Sequence, residues 1–339
     1  MLNLEIAKLA KVSPATVSRV LNDRPGVSDE TVNHVRRIIA QKGIDLSRVK
    51  KKAIRNNSYL KHKTVALLIL SEDIFQIYSS VSMQLVNGIQ EALKEQGINM
   101  IFAHVPDAES LPPAVIDAKV DGLILTGPCP DKDVLDCIES IPAVWLSSHR
   151  NNGGSLLLGG NEMIGEIAAR YLLERNHRRL AVVNAFSEHP GVKRRAEFFE
   201  LCAKNSGAES VDMFIGNSEN VSKNDLAGFK AVLKGLVERL VAMDVMPTGL
   251  FVPIDMQVAL LYEILYSKKI IPGKDVEIIG TDNDPVALAG LHPKPATVDI
   301  GASTLGCRVV RELLWSLENS VKDTGKICMF VEPRLILPE

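Results

Sequence analysis

From residue 64 onward the chain alternates short apolar runs with amphipathic helical stretches, and this alternation restricts what it can fold into. TVALLIL at 64–70 is short and aliphatic, so it reads as a buried strand. A helix over about 79–96 follows, stopped by Gly97. NMIFAH, VDGLILTG (120–127) and AVWLSS (143–148) read as strands, with a short helix from Leu111 between the first two. After a glycine-rich stretch that ends with GG at 159–160, the alternation resumes. It runs through a helix over about 162–175, RLAVVNA, a helix over about 192–205, MFIG and a helix over about 224–242. GLFVP (249–253), a helix over about 255–267 and VEIIGTD (276–282) complete it. Strand–helix repetition of this kind gives parallel sheets with right-handed crossovers. The two runs are of similar length, which predicts an α/β body of two lobes with a cleft between them. TVDIG (297–301), a helix to about 318 and CMFVEPRLIL then return to each lobe. Lobe 1 is expected to take about 64–148 and 297–318, and lobe 2 about 160–284 and 326–339.

Charge separates the segment before this body from the body itself. Residues 1–63 hold 14 Lys and Arg against 5 Asp and Glu, while the other residues hold 25 against 36. A basic head on an acidic body suggests a polyanionic partner for the head. The head also carries helical periodicity. Leu4, Ile6, Ala7, Leu9 and Ala10 share a helical face. Ser13 is placed to cap a second helix that opens on Pro14, where a missing N–H does no harm. Val17, Val20 and Leu21 form its inward stripe. Ser28 caps a third helix with core residues Val32, Val35, Ile38 and Ile39, stopped by Gly43. Two helices joined by a tight turn, the second short and polar, make a helix-turn-helix whose second helix fits the major groove of DNA.

The string VSPATVSRVLNDRPGVSDETVNHV resembles the DNA-binding head of the lactose-repressor (LacI) family of bacterial transcription regulators. The match runs through Val12, Ser13, Thr16, Val17, Ser18, Arg19, Val20, Leu21, Asn22, Val27, Ser28 and Thr31. The resemblance places Pro14 and Ala15 opposite base edges, where apolar contact with a thymine methyl is the available readout. Arg19 is the candidate for a bidentate contact to guanine. Thr16, Ser18, Asn22, Ser28 and Thr31 are candidates for phosphate contacts. The head is expected over residues 1–46 and a basic hinge over 47–63. The family's hinge helix, which wedges into the minor groove, is replaced here by IDLSRVKKKAIRNNSYLKHK, without the usual Pro-Asn step. Lys51 and Ile54 are the nearest candidates for phosphate contact and wedge. A phosphate-tracking hinge and a solvated linker both fit this segment.

The body resembles the same family, whose regulatory domain looks like a periplasmic sugar-binding protein. VDGLILTG, ERNHRRLAVV, PTGLFVPIDM and DVEIIGTDNDPVALAGLHPKPATV carry the likeness over residues 64–339. Ligands of open α/β sheets bind at the carboxyl ends of strands, where Ser147, Asp255 and Asp282 fall. By resemblance Arg195, Asp255 and Asp282 are effector-binding residues, with Ser147 beside them. Ile254 stands where the family has Asn, and Gly160-Asn161 where an Asp often opens the helix. The place of a ring-stacking aromatic falls near Lys223, which would suit an anionic group.

Other classes find little support. No Walker, H-E-x-x-H or G-x-S-x-G pattern occurs, and GGNEMIG lacks the order of a dinucleotide-binding turn. Five cysteines without a C-x-x-C pair argue against a zinc ribbon or a disulfide framework. Neither a membrane span nor a signal peptide is read, so a cytoplasmic protein is expected. The expectation is a DNA-binding regulator, a repressor that is a homodimer on a pseudo-palindromic double-stranded operator, controlled by a small effector such as a carbohydrate. No enzymatic activity, cofactor or metal is expected. The alternative is a ligand-independent regulator with a vestigial pocket.

Overall fold

A computed structural model describes residues 2–21, 27–42, 59–70, 80–146, 155–186, 189–217, 225–319 and 327–338. The chain divides into two compact units, Met1–Ser58 and Tyr59–Glu339.

In the first unit α1 spans Leu2–Ala10, α2 Pro14–Leu21 and α3 Asp29–Gln41. Ile6, Ala7, Ala10, Val17, Val20, Val35 and Ile39 make one core. Leu9 is not part of it and is exposed. Both turns preceding a helix are capped in the same way. Ser13 Oγ accepts from the Thr16 N–H at 3.0 Å, and Ser28 Oγ from the Thr31 N–H at 3.4 Å. His34 Nε2 donates to the Ala10 carbonyl at 3.2 Å and ties α3 to α1.

The second unit holds two six-stranded sheets. Its elements are β1 Thr64–Ile69, α4 Ser80–Glu95, β2 Asn99–His104, α5 Pro113–Ile116, β3 Gly122–Thr126, α6 Lys132–Ile138, β4 Ala143–Leu146 and β5 Ser155–Leu158. Then come α7 Asn161–Glu174, β6 Arg179–Asn184, α8 Pro190–Asn205, β7 Ser210–Ile215, α9 Leu226–Val241, β8 Gly249–Phe251, α10 Asp255–Ser267 and β9 Glu277–Thr281. The last are α11 Pro285–Leu288, β10 Ala296–Asp299, α12 Ala302–Asn319, β11 Cys328–Phe330 and β12 Arg334–Ile336. The first sheet runs β11-β5-β4-β3-β1-β2, all parallel. The second runs β12-β10-β9-β8-β6-β7, parallel except for the antiparallel edge strand β12.

Each central strand is apolar on both faces because both faces are covered. Val65 and Leu67 join α4 and α12 in one core, while Ala66 and Leu68 face the other side of the sheet. In lobe 2, Leu180 and Val182 pack toward α7 and α8, and Ala181 and Val183 toward α9 and α10. Glycines let the helix pairs cross closely. A Cβ on Gly88 of α4 would collide with the Ser303 backbone, and one on Gly306 of α12 with the backbone of Leu85 and Ile89. Gly165 of α7 meets the backbone of Arg195 and Phe199 on α8 in the same way.

The division between lobes differs from the sequence reading in three places. β10 pairs in the second sheet, whereas the sequence pattern puts TVDIG in lobe 1. β11 pairs in the first sheet, although the sequence pattern puts 326–339 wholly in lobe 2. SLLL, which lies between the expected end of lobe 1 near 148 and the expected start of lobe 2 near 160, is the first-sheet strand β5. The chain thus crosses between lobes after β5, after β10 and after β11. Gly160 (φ 62°) and Gly301 (φ 65°) turn the first two crossings, and both pack against Val331 of the third.

Residues 59–63, counted with the hinge by sequence, belong to the body. Leu60 is buried in lobe 1. The Asp121 carboxylate accepts from the backbone N–H groups of Lys61 (2.6 Å), His62 (2.9 Å) and Thr64 (3.0 Å). Hydrogen bonds to a charged group contribute roughly 1.5–3 kcal/mol each at most, and these share one acceptor. Asp121→Ala is expected to destabilise the body by about 2–3 kcal/mol. Amide exchange at residues 61, 62 and 64 should quicken more than elsewhere. Unchanged exchange there would show that Asp121 does not hold the segment.

Candidate nucleic-acid interface and ligand cleft

On the recognition helix α2, Val17 and Val20 are buried, which leaves Pro14, Ala15 and Arg19 exposed on the opposite side. A helix of eight residues thus presents two apolar surfaces and one guanidinium to the outside. Thr16 and Thr31 are half-buried. Their hydroxyls pair with Ser13 Oγ (2.8 Å) and Ser28 Oγ (2.9 Å). The two Ser–Thr pairs are therefore caps first, and a phosphate contact from Ser28, Thr16 or Thr31 would share that hydroxyl. The side chain of Ser18, and Asn22, Lys51 and Ile54 altogether, lie outside the described residues.

The cleft follows from sheet topology. The order β7-β6-β8-β9-β10 reverses direction between β6 and β8, and open α/β sheets bind ligands at the carboxyl ends beside such a reversal. Phe186 follows β6, Ile254 follows β8, Asp282 follows β9 and Ile300 follows β10. Together with Ser80–Ser82 of lobe 1, these residues line a cavity of about 530 Å³. A smaller cavity of about 150 Å³ shares Val81, Ser82, His189, Arg195 and Ile300 with it.

Arg195 sits in the cleft wall with 8% of its surface exposed. Its Nε donates to Asn161 Oδ1 at 3.0 Å, and Nη1 donates to the Pro253 carbonyl (2.8 Å) and Asp282 Oδ1 (3.0 Å). Asn161 opens α7 where an Asp was the family expectation, and its task here is to hold the guanidinium. Asp282 has 8% of its surface exposed, at φ 107°, a left-handed conformation that costs energy outside glycine. Burial pushes its carboxyl up to about 6, against the pull of Arg195 and with help from Asp284 and Asp299.

That direction sets a pH dependence. The unfolded carboxyl loses its proton near its ordinary value of 3.8, and the folded one only near 6. Between these values the native state binds more protons, so stability falls as pH rises through the window. Asp282→Asn is expected to remove this fall. Melting curves of both proteins from pH 4 to 7 check it; parallel curves would mean Asp282 does not titrate there.

Asp255 does not line the cavity, contrary to its assignment by resemblance. It is 0% exposed, with Oδ2 accepting from the Asp284 N–H (2.9 Å) and from Thr297 Oγ1 (2.8 Å). Burial holds its carboxyl well above the usual range, and Asp282 adds to this. Asp255 anchors the 282–284 loop and so positions Asp282. Gly280 leaves room for it, since a Cβ there would strike Asp255 Oδ1. Ser147 and Lys223 lie outside the described residues.

Two further groups escaped the sequence reading. Gln257 Oε1 accepts from the Ala185 N–H at 2.8 Å, and its Nε2 donates to Asn184 Oδ1 at 3.2 Å. This buried amide pair fixes the strand end that delivers Phe186, which stacks on Phe229 with centroids 4.2 Å apart. Away from the cleft, Glu277 receives Tyr171 Oη, His177 Nε2 and Arg175. Burial raises its carboxyl, but these donors outweigh burial and hold it below the usual range.

Among the described residues no group of three His, Cys, Asp or Glu side chains is placed to hold a metal. None of the described helices is long and apolar enough to cross a membrane.

Residues 4–43 match the model of bacterial regulatory proteins of the lacI family. Residues 61–232 match that of the periplasmic binding proteins and sugar binding domain of the LacI family, and 169–337 the periplasmic binding protein-like domain. The ribose operon repressor of Escherichia coli (strain K12) is 23% identical over 303 residues, 86% of either chain. The repressor PurR of Vibrio cholerae (strain M66-2) is 25% identical over 304 residues, 86% of this chain and 84% of its own. The complex of the transcriptional regulator CelR with cellobiose has the same fold, with a TM-score of 0.68 at 20% identity over 98% of each chain. A head with an exposed recognition helix, a two-lobed body with a cleft, and family matches over both place the chain in the LacI family of bacterial transcription regulators.

Proposed function

We propose that the chain is a cytoplasmic homodimeric repressor that binds a pseudo-palindromic operator through α2 and responds to a small effector in the cleft. The exposed Pro14–Ala15–Arg19 surface supports operator readout, since these side chains are left outward by the burial of Val17 and Val20. The Arg195–Asp282 pair at the 530 Å³ cavity supports an effector rather than a vestigial pocket. The curated relatives named above are both repressors, which favours repression. Control would work through the three lobe crossings: an effector that favours one lobe–lobe angle shifts the population of bodies toward it.

Selection of bound fragments from random duplex DNA, sequenced with and without a metabolite mixture, tests this reading. The expected result is an enriched palindrome whose occupancy changes with the mixture. Arg19→Ala should weaken binding to that site about 5- to 150-fold, the ~1–3 kcal/mol of one bidentate base contact, and relax one base position. Salt-sensitive binding with no enriched sequence would overturn sequence-specific regulation.

A further inference from the structure

Lobe 2 holds a second cavity, of about 650 Å³, that shares no lining residue with the cleft. Most of its wall is one run of chain, 283–296, completed by Tyr171 and Arg175 of α7, Tyr262 of α10 and Glu277 of β9. This run is pinned. The Asn283 N–H donates to Thr297 Oγ1 at 3.2 Å and ties its two ends together. Tyr262 Oη donates to the Pro293 carbonyl at 2.9 Å, and Tyr266 Oη to the His292 carbonyl. Pro293 and Pro295 fix the backbone on either side of Lys294. The cavity is therefore preformed, and its volume falls within the range of roughly 300–1,000 Å³ usual for small-ligand sites.

Its charges favour an anionic head. Glu277 is the one acidic residue among those lining it, and Tyr171 Oη (2.6 Å), His177 Nε2 (2.8 Å) and Arg175 already hold that carboxylate. Arg175 meets Glu277 through Nε, which leaves its Nη groups for another acceptor. Lys294 and His292 are exposed at the same wall, and neither side chain is paired with a described residue. Ile278, Leu288 and Leu291 supply an apolar floor.

One segment separates this cavity from the cleft. Asp282, Asp284 and Ala287 line the cleft, while Asn283, Pro285 and Leu288 line the second cavity. Asp282 (φ 107°) and Asn283 (φ 51°) are consecutive residues in the left-handed region. A group that displaces Asn283 therefore also displaces Asp282.

We infer that this cavity is a second ligand site, for a small carboxylic acid with an apolar body, whose occupant acts on the cleft through the 282–284 loop. Arg175 and Lys294 take the carboxylate, and the apolar floor takes the body. By linkage, a ligand in the cleft alters the affinity for the acid by the same factor as the acid alters its own. Binding of the acid stands without the reading of the cleft as an effector site; the coupling rests on that reading.

Methyl and amide NMR spectra of the full chain at neutral pH test this, with 4-phenylbutanoate, octanoate and 1-naphthylacetate each compared with its primary amide. At least one acid is expected to shift the methyl signals of Ile278, Leu288 and Leu291, with its amide bound about tenfold more weakly. The amide signals of residues 282–284 are expected to move in the same titration. Lys294→Glu, at an exposed position, should weaken the acid by about tenfold or more, and its melting curve shows that it is folded. No binding by any acid, amides bound as tightly as acids, or undiminished binding by Lys294→Glu would overturn the inference. So would shifts confined to the Ile254, Leu260 and Ile300 methyls of the cleft. Binding with no change at 282–284 would overturn the coupling and leave the site. The cleft effector and operator binding are judged separately, by fragment selection with and without metabolites.

Discussion

Gly306→Val is expected to unfold lobe 1 rather than soften it. The Cβ of any residue at 306 falls onto the Leu85 carbonyl and close to the Ile89 nitrogen. The obstacle is helix backbone, which cannot swing aside as the end of a flexible side chain can. Gly88 on the facing helix has the same relation to Ser303, so α4 and α12 touch backbone to backbone at two points. Valine adds two methyl groups beyond the Cβ. Overpacking in a core typically costs about 1–3 kcal/mol, and here the helices must separate along a buried seam that includes Ile89, Val309 and Leu313. An effect on the order of 4 kcal/mol or more is expected, read as a melting temperature lowered by about 10 °C or loss of soluble protein. Gly235→Ala is the control. Gly235 is exposed on α9 with nothing within 4 Å of the added atom, so alanine there should be neutral or stabilise by about 0.5–1 kcal/mol. If Gly306→Val melts like the parent, the close-crossing account is wrong.

Arg195→Ala should destabilise the body by about 3–5 kcal/mol, the usual result of removing one partner of a buried ion pair. Three acceptors lose their donor at once: Asn161 Oδ1, the Pro253 carbonyl and Asp282 Oδ1. Asp282 is then left as a buried carboxylate beside Asp284 and Asp299 without its cation. The double variant Arg195→Ala/Asp282→Asn removes that charge, so it should be more stable than Arg195→Ala alone. Thermal unfolding of the four proteins of the cycle measures the coupling, which for contacting residues runs at about 0.5–3 kcal/mol. Additive effects would mean that Arg195 and Asp282 are neighbours without being partners.

Local signals in the sequence reached the elements but not always their partners. The Ser13-Pro14 and Ser28-Asp29 steps announce helix starts chemically, and the caps are found there. Strands such as TVALLIL are legible because burial on both faces demands an unbroken aliphatic run. The partner of a three- or four-residue strand is not encoded in this way. The sequence pattern therefore puts β10 and β11 in the wrong lobes, and β5 is too short to stand out beside its glycine-rich neighbours. The short helix read from Leu111 is α5, whereas the seven residues of α6 are too few for a periodicity to stand out. In the cleft, Arg195 and Asp282 form an ion pair, a contact that the spacing of the two residues in sequence does not announce. Asp255 and Asp282 look alike in sequence, each an Asp just past a strand. Only the fold shows that one turns inward to Thr297 and the Asp284 N–H while the other reaches the cavity.

The return of the chain's last strands to both sheets has a consequence for how the protein is made. The head lies within the first 58 residues, whereas β11 and β12, the final edge strands of the two sheets, come from residues 328–336. Domains fold as they leave the ribosome, N-terminal first. A head that needs none of these strands can form before either sheet is complete. Loss of β11 and β12 would leave β5 and β10 as the exposed edges of their sheets, each a template for unwanted pairing with another chain.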